Sequence, residues 1–95
     1  MAKNELPPPN SVQSGKDVGE IARVWIVDGG LHVSLQKAFD DPSVWGIALL
    51  DISRHVARMY SEDGKVSFEE NLEKIARMWR AEMDKPTDMG TTSAQ

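Results

Sequence analysis

The sequence predicts an α+β fold in which one antiparallel β-hairpin packs on an antiparallel pair of helices, in the order β-β-α-α. Two runs rich in β-branched and aromatic residues, Arg23-Val24-Trp25-Ile26-Val27 and Leu31-His32-Val33-Ser34-Leu35, flank Asp28-Gly29-Gly30. Such runs around Asp-Gly are a strong short-range hairpin signal. Two later segments carry apolar residues at helical spacing. Helices that follow strands, rather than alternating with them, mark the α+β class.

The hairpin leaves two registers open. A two-residue turn at Gly29-Gly30 puts Ala22, Val24 and Ile26 on one face with Leu31, Val33 and Leu35, and turns Trp25, Val27, His32 and Ser34 to the other. A three-residue loop at Asp28-Gly29-Gly30 joins Ile21, Trp25 and Val27 to Leu31, Val33 and Leu35 instead. A one-residue shift flips one strand's side chains relative to the other's, so only one can hold. In both, the first strand is apolar on two faces. No other part of the chain reads as a strand.

Asp41-Pro42 opens the first helix, since Asp is a good N-cap and Pro suits the first helical position. Trp45, Ala48, Leu49, Ile52, Val56, Met59 and Tyr60 form its apolar stripe, widened by Val44 and Ile47. Gly46 costs up to ~1 kcal/mol relative to Ala inside a helix, and suits a close approach by a backbone or ring. Glu62-Asp63-Gly64-Lys65 breaks the pattern. Ser67 and Glu70 make a capping box that starts the second helix, whose stripe is Phe68, Leu72, Ile75, Ala76, Trp79 and Met83. The short connection favours antiparallel neighbours. Trp45, Leu49, Ile52, Val56, Leu72, Ile75 and Trp79 are expected at the centre of the domain.

Residues 1–18 and 85–95 are polar, rich in Pro, Gly, Ser and Thr, and lack apolar periodicity, so both are expected as flexible tails around a single domain at residues 19–84. Leu6-Pro7-Pro8-Pro9 favours extended polyproline II and is expected to act as a stiff linker. A domain this short is marginal alone and needs an aid such as oligomerisation. Disulfides are excluded, because the chain has no cysteine. The same absence excludes thiolate metal sites and cysteine nucleophiles, and fits a reducing compartment. A net charge of −4 argues against nucleic-acid binding. Between residues 42 and 83 the balance is nearly even, with six cations against seven anions. No signal peptide and no apolar run of membrane-spanning length is present, so a cytoplasmic location is expected and no membrane contact.

Three constellations could carry chemistry. Asp63-Gly64-Lys65-Val66 through Glu70 resembles the second half of an EF-hand loop, with Asp63, the Lys65 carbonyl and Glu70 as candidate metal ligands. Its first half fails, because Met59 stands where the first carboxylate belongs. A tight turn ended by Gly64 and a cap at Ser67 accounts for the same residues. Asp51, His55 and Arg58 share one helix face at spacings of four and three. A carboxylate four residues before a histidine can orient it as a general base, but no nucleophile stands nearby, and a solvated polar face is favoured. Trp25, Trp45 and Trp79 are core candidates by size. Trp25, with Val27 and His32, is the candidate interface, since Trp anchors interface hot spots. No phosphate loop, dinucleotide fingerprint, zinc-binding HExxH or nucleophile elbow is present. No cofactor is expected.

Val24 through Leu35, Asp41-Pro42-Ser43-Val44-Trp45-Gly46-Ile47, and Ala81 through Asp88 together resemble a small family of alphaproteobacterial proteins catalogued as a domain of unknown function. The likeness runs from Leu6-Pro7-Pro8-Pro9 to about Asp88. The resemblance implies a stand-alone bacterial protein and brings no activity, cofactor or catalytic residue. The leading functional expectation is a non-enzymatic protein-interaction module with an unidentified protein partner. The alternatives are a degenerate EF-hand-like, metal-responsive helix pair and a small enzyme using Asp51 and His55. A homodimer is expected, in which hairpins pair edge to edge into a four-stranded sheet, because the edge is unprotected and the first strand is apolar on both faces.

Overall fold

The structure, a computed structural model, describes residues 4–86 and 91–94; parts of both expected tails, and Thr87 and Asp88 of the family-like segment, lie outside the described residues. The elements run α1 (Asn10–Ser14), β1 (Ala22–Val27), β2 (Gly30–Leu35), α2 (Ser43–Ser61), α3 (Phe68–Asp84) and β3 (Thr91–Ala94). The expected α+β order of a hairpin followed by two helices is present.

The hairpin takes neither register expected. Ala22 pairs with Leu35, Val24 with Val33, Trp25 with His32, Ile26 with Leu31 and Val27 with Gly30, which leaves Asp28-Gly29 as the turn. Asp28 has φ 50° and Gly29 φ 84°. A two-residue turn with positive φ at both positions matches the right-handed twist of the strands, and Asp-Gly is a preferred pair for it. Gly-Gly would also have adopted this geometry, but Asp tolerates the left-handed region well enough to take the first position. The facial sets are those of the two-residue reading: Ala22, Val24 and Ile26 lie with Leu31, Val33 and Leu35.

Regular structure also falls in the two segments expected as tails. Residues Asn10–Ser14 form α1, a helix too short to show apolar periodicity in the sequence. Thr91–Ala94 form β3, which pairs parallel with β2, His32 opposite Thr91 and Leu35 opposite Ala94. The expectation of no further strand is corrected by this pairing. A strand of four residues gains its stability from a neighbour far away in sequence, which local pattern does not reveal. The sheet therefore has three strands in the order β1-β2-β3. The expected four-stranded dimer sheet assumed two strands per chain, and with β3 each chain brings three.

The helix ends follow their sequence signals. Asp41 accepts a hydrogen bond at Oδ1 from the Ser43 N–H at 2.9 Å, ahead of α2. Ser67 Oγ accepts from the Glu70 N–H at 3.1 Å and caps α3. Between the helices Gly64 has φ 75°, its N–H bonded to the Ser61 carbonyl at 3.0 Å. Near the inter-helix loop the seam between α2 and α3 is lined by small and polar groups. Ala57 is the one fully buried residue among those described. Ser61 Oγ donates to the Ala57 carbonyl at 2.7 Å and accepts from Asn71 Nδ2 at 3.1 Å. The Arg58 guanidinium lies over the Phe68 ring, 5.5 Å from its centroid.

The expected centre is only half closed: Trp45, Val56, Leu72 and Ile75 are half-buried. Leu49, Ile52 and Trp79 are 52%, 53% and 61% exposed. The reason is rotational. Ser53, Ala57 and Ser61 face α3, whereas the broad stripe through Trp45, Ile52 and Met59 is turned about a third of a helical turn away. Between the hairpin and the helices, among the described residues, no strand Cα lies within 8 Å of a helix Cα, a separation that side chains between two layers span. The connection at 36–42 seats Phe39 edge-on against Trp45, with centroids 5.5 Å apart and planes at 74°. Close to this joint Val33, Leu35, Val44 and Trp45 are half-buried, while Ile26 beside the turn and Tyr60 at the far end of α2 are both 70% exposed.

Two overall measures agree. A compact chain of this length has a radius of gyration of about 12 Å, and here it is 15.3 Å. A folded 10.6 kDa monomer exposes roughly 5,500 Å², and this chain exposes 8575 Å².

Candidate interaction surface

An apolar cleft of about 340 Å³ lies between the helices, lined by Gly46, Leu49, Leu50 and Ser53 of α2 and by Leu72, Ile75, Ala76, Trp79 and Arg80 of α3. It exists because residues of opposite bulk share its walls. Gly46 presents no side chain, and a Cβ built there meets nothing within 4 Å. The close approach expected at Gly46 is therefore absent, and the space stays open. Arg80 at the rim is held by Glu73 through a 3.0 Å bond from Nη2 to Oε1. Ile52 on α2 and Met78 and Met83 on α3 are also more than half exposed.

The hairpin carries a second apolar surface. Val24, Ile26 and Leu31 lie on one face and are 57%, 70% and 46% exposed. The opposite face holds the interface residues expected from sequence. Trp25 and His32 are directly paired across the strands and half-buried, and Val27 follows them on the same face, 46% exposed. The structure thus brings Trp25, Val27 and His32 together, but the barer face is the other one. Val24, Ile26 and Leu31 were missed as interface candidates because alternation alone cannot say which face the rest of the chain leaves bare.

The N-terminal segment runs beside β1. Leu6, Pro7, Pro8, Pro9, Val12 and Val18 wall a broad groove against β1 residues Ala22 to Ile26. Arg23 ties it together, with Nε bonded to Glu20 Oε2 at 2.7 Å and Nη1 lying 3.6 Å from Glu5 Oε2. The hydrogen bond to Glu20, reinforced by its charge, pushes the Arg23 pKa further up.

The polar constellations are placed on open surface. His55 Nε2 lies 3.4 Å from Asp51 Oδ2, and both side chains are about two-thirds exposed. Arg58 Nη1 lies 3.5 Å from His55 Nδ1. An imidazole that donates from Nε2 and accepts at Nδ1 fits both contacts. The three residues are brought together, but none lines either cleft. In the inter-helix loop the Asp63 carboxylate accepts from the Lys65 N–H at 3.0 Å, and the Glu70 N–H is bonded to Ser67. Each thus serves a turn or a cap. Among the described residues no group of three His, Asp or Glu side chains is placed to hold a metal ion. Asp41 is held below the usual carboxylate range, chiefly by the backbone N–H of Ser43.

These features describe a small α+β protein whose notable surfaces are apolar clefts and faces, with no convergent set of catalytic side chains at them. The chain belongs to the family described as Domain of unknown function (DUF5076), which matches residues 5–87. The match begins at Glu5, the partner of Arg23, so the segment beside β1 is part of the family's domain. Among solved structures, one from the photosynthetic bacterium Rhodopseudomonas palustrus CGA009, described as that of a "putative pyruvate dehydrogenase", is 38% identical, with a TM-score of 0.76 over 100% of this chain and 98% of that one. No curated protein matches the chain. Among the described residues no helix is long and apolar enough to cross a membrane.

Proposed function

We propose that this chain is a small non-enzymatic protein-interaction module that works as a homodimer. One observation carries this: a chain whose only fully buried described residue is Ala57 has not finished burying its apolar surface. Part of the excess over a folded monomer of this mass, roughly 3,000 Å², lies on residues 4–20, which are exposed throughout; the rest falls on the bare faces of the sheet and the helices, where an obligate dimer removes about 1,000–2,500 Å² per protomer. The three-stranded sheet and the helix pair each keep an apolar face in water. Association gives both a second layer.

A cytoplasmic, alphaproteobacterial source belongs to the same reading, supported by the absence of cysteine and by the relative from Rhodopseudomonas palustrus. The description of that relative supplies no reaction here. Oxidative decarboxylation of a 2-oxo acid is carried by a cofactor that acts as an electron sink, and Asp51, His55, Asp63 and Glu70 do not converge on a cleft that would seat one.

Sedimentation at micromolar concentration tests the proposal. The expected particle has twice the 10.6 kDa mass of the chain. A particle of single-chain mass rejects the homodimer. Copurification from the source organism then asks for a stable companion protein, and a particle holding this chain alone limits the module to self-association.

A further inference from the structure

We infer that two copies of this chain close reciprocally, the apolar face of each sheet lying on the exposed stripe of α2 in the other. The inference rests on the homodimer reading and specifies its geometry. Each chain bears two exposed apolar surfaces, one centred on Ile26 and Leu31, where the segment through Leu6 and Val12 borders only the β1 side, the other on Ile52 and Met59. They sit on parts of the chain whose backbones do not approach one another. The hairpin face is best covered near the 36–42 joint and barest far from it: on β1, Ala22 is half-buried, Val24 57% exposed and Ile26 70% exposed. That gradient is what an open clamp leaves when its jaws lack an occupant.

The occupant is a second copy because simpler contacts leave a surface bare. Helix pair against helix pair covers Ile52 and leaves Ile26 in water. Strand-edge pairing adds backbone hydrogen bonds along β1 and covers neither face. Sheet on helix is the layer packing that α+β domains use. A two-fold axis makes each protomer donor and acceptor at once, so a single closed contact serves all four surfaces. The two described layers are joined through the seven residues 36–42, so each sheet stays tethered to its own helices while it covers those of its partner.

The absence of cysteine makes the test clean. Ile26→Cys and Ile52→Cys are prepared separately, checked for native circular dichroism, and oxidised alone and after refolding as a mixture. Covalent dimer in the mixture and none in either variant alone is expected. Covalent dimer from either variant alone, with no gain on mixing, overturns the reciprocal geometry while leaving the homodimer intact. So does a wild-type dimer that yields no crosslink in any combination. A wild-type chain that sediments as a monomer removes the homodimer reading and this geometry with it. A second pair does not depend on a disulfide. Ile26→Glu and Ile52→Lys are each expected to sediment as monomers, and to dimerise when coexpressed, because the mixed dimer keeps one native layer contact and gains an ion pair in the other. Dimers of wild-type strength from either variant alone overturn the inference.

Discussion

The helix pair and the hairpin meet the same problem differently. At the α2–α3 seam Ala57 disappears from solvent, Ser61 and Asn71 bond across the gap, and Arg58 covers Phe68. Small residues let the backbones approach, so that contact closes inside one chain. The hairpin has its ladder and a well-formed turn but no fully buried residue. Its large side chains, like the large side chains of α2, point where this chain offers no cover. Small and polar residues thus make the tightest internal contact, and many of the bulky apolar residues stay exposed in the single chain. This reverses the usual expectation that the largest apolar side chains mark the core of their own chain.

The sharpest way to break that comparison is to load the seam. Ala57→Asp places a charge where no partner is available and should cost several kcal/mol, collapsing the helix pair, with loss of far-ultraviolet helicity. Retained native helicity would show that the seam is not the internal core. Next in size is Ile52→Glu. In a monomer, where this side chain is about half exposed, it should be nearly neutral; if the face is covered by association, about 1.5–3 kcal/mol is lost and the melting temperature becomes steeply dependent on protein concentration. Calorimetry across a concentration series distinguishes the two.

A matched pair then compares the halves directly. Gly29 and Gly64 both have positive φ, and a Cβ at either meets nothing within 4 Å, so Gly→Ala at each tests backbone strain alone. Each should cost about 1 kcal/mol, read by chemical denaturation. A much larger loss at Gly29 would show that the hairpin turn, more than the helix connection, limits folding.

The smallest effect is one of pH. The Ser43 N–H holds the folded-state pKa of Asp41 below its unfolded value of about 3.9. The contribution of that cap is therefore complete above the unfolded value and fades as pH falls through the lower, folded one. Asp41→Asn keeps an acceptor without the titration, so it should flatten this part of the acid loss of helicity. An unchanged acid profile would assign the loss to other carboxylates.

The features legible in the sequence were those fixed within a few residues. Asp41 ahead of α2, Ser67 at the start of α3, Gly64 between them and Asp-Gly in the hairpin each act through one local hydrogen bond or one backbone torsion. The α+β order follows from them. Even here the turn lies one residue before Gly29-Gly30, because Asp28 and Gly29 take the positive φ that a two-residue turn needs and Asp-Gly is a pair such turns prefer. Tertiary structure alone decided that Thr91–Ala94 joins β2, that Ser53, Ala57 and Ser61 rather than the wide stripe face α3, and that Ile26 and Ile52 stay in water. Periodicity measures how apolar a face is. Which of two apolar faces is covered depends on which backbones can approach, and that is settled by the small residues and the connections between elements.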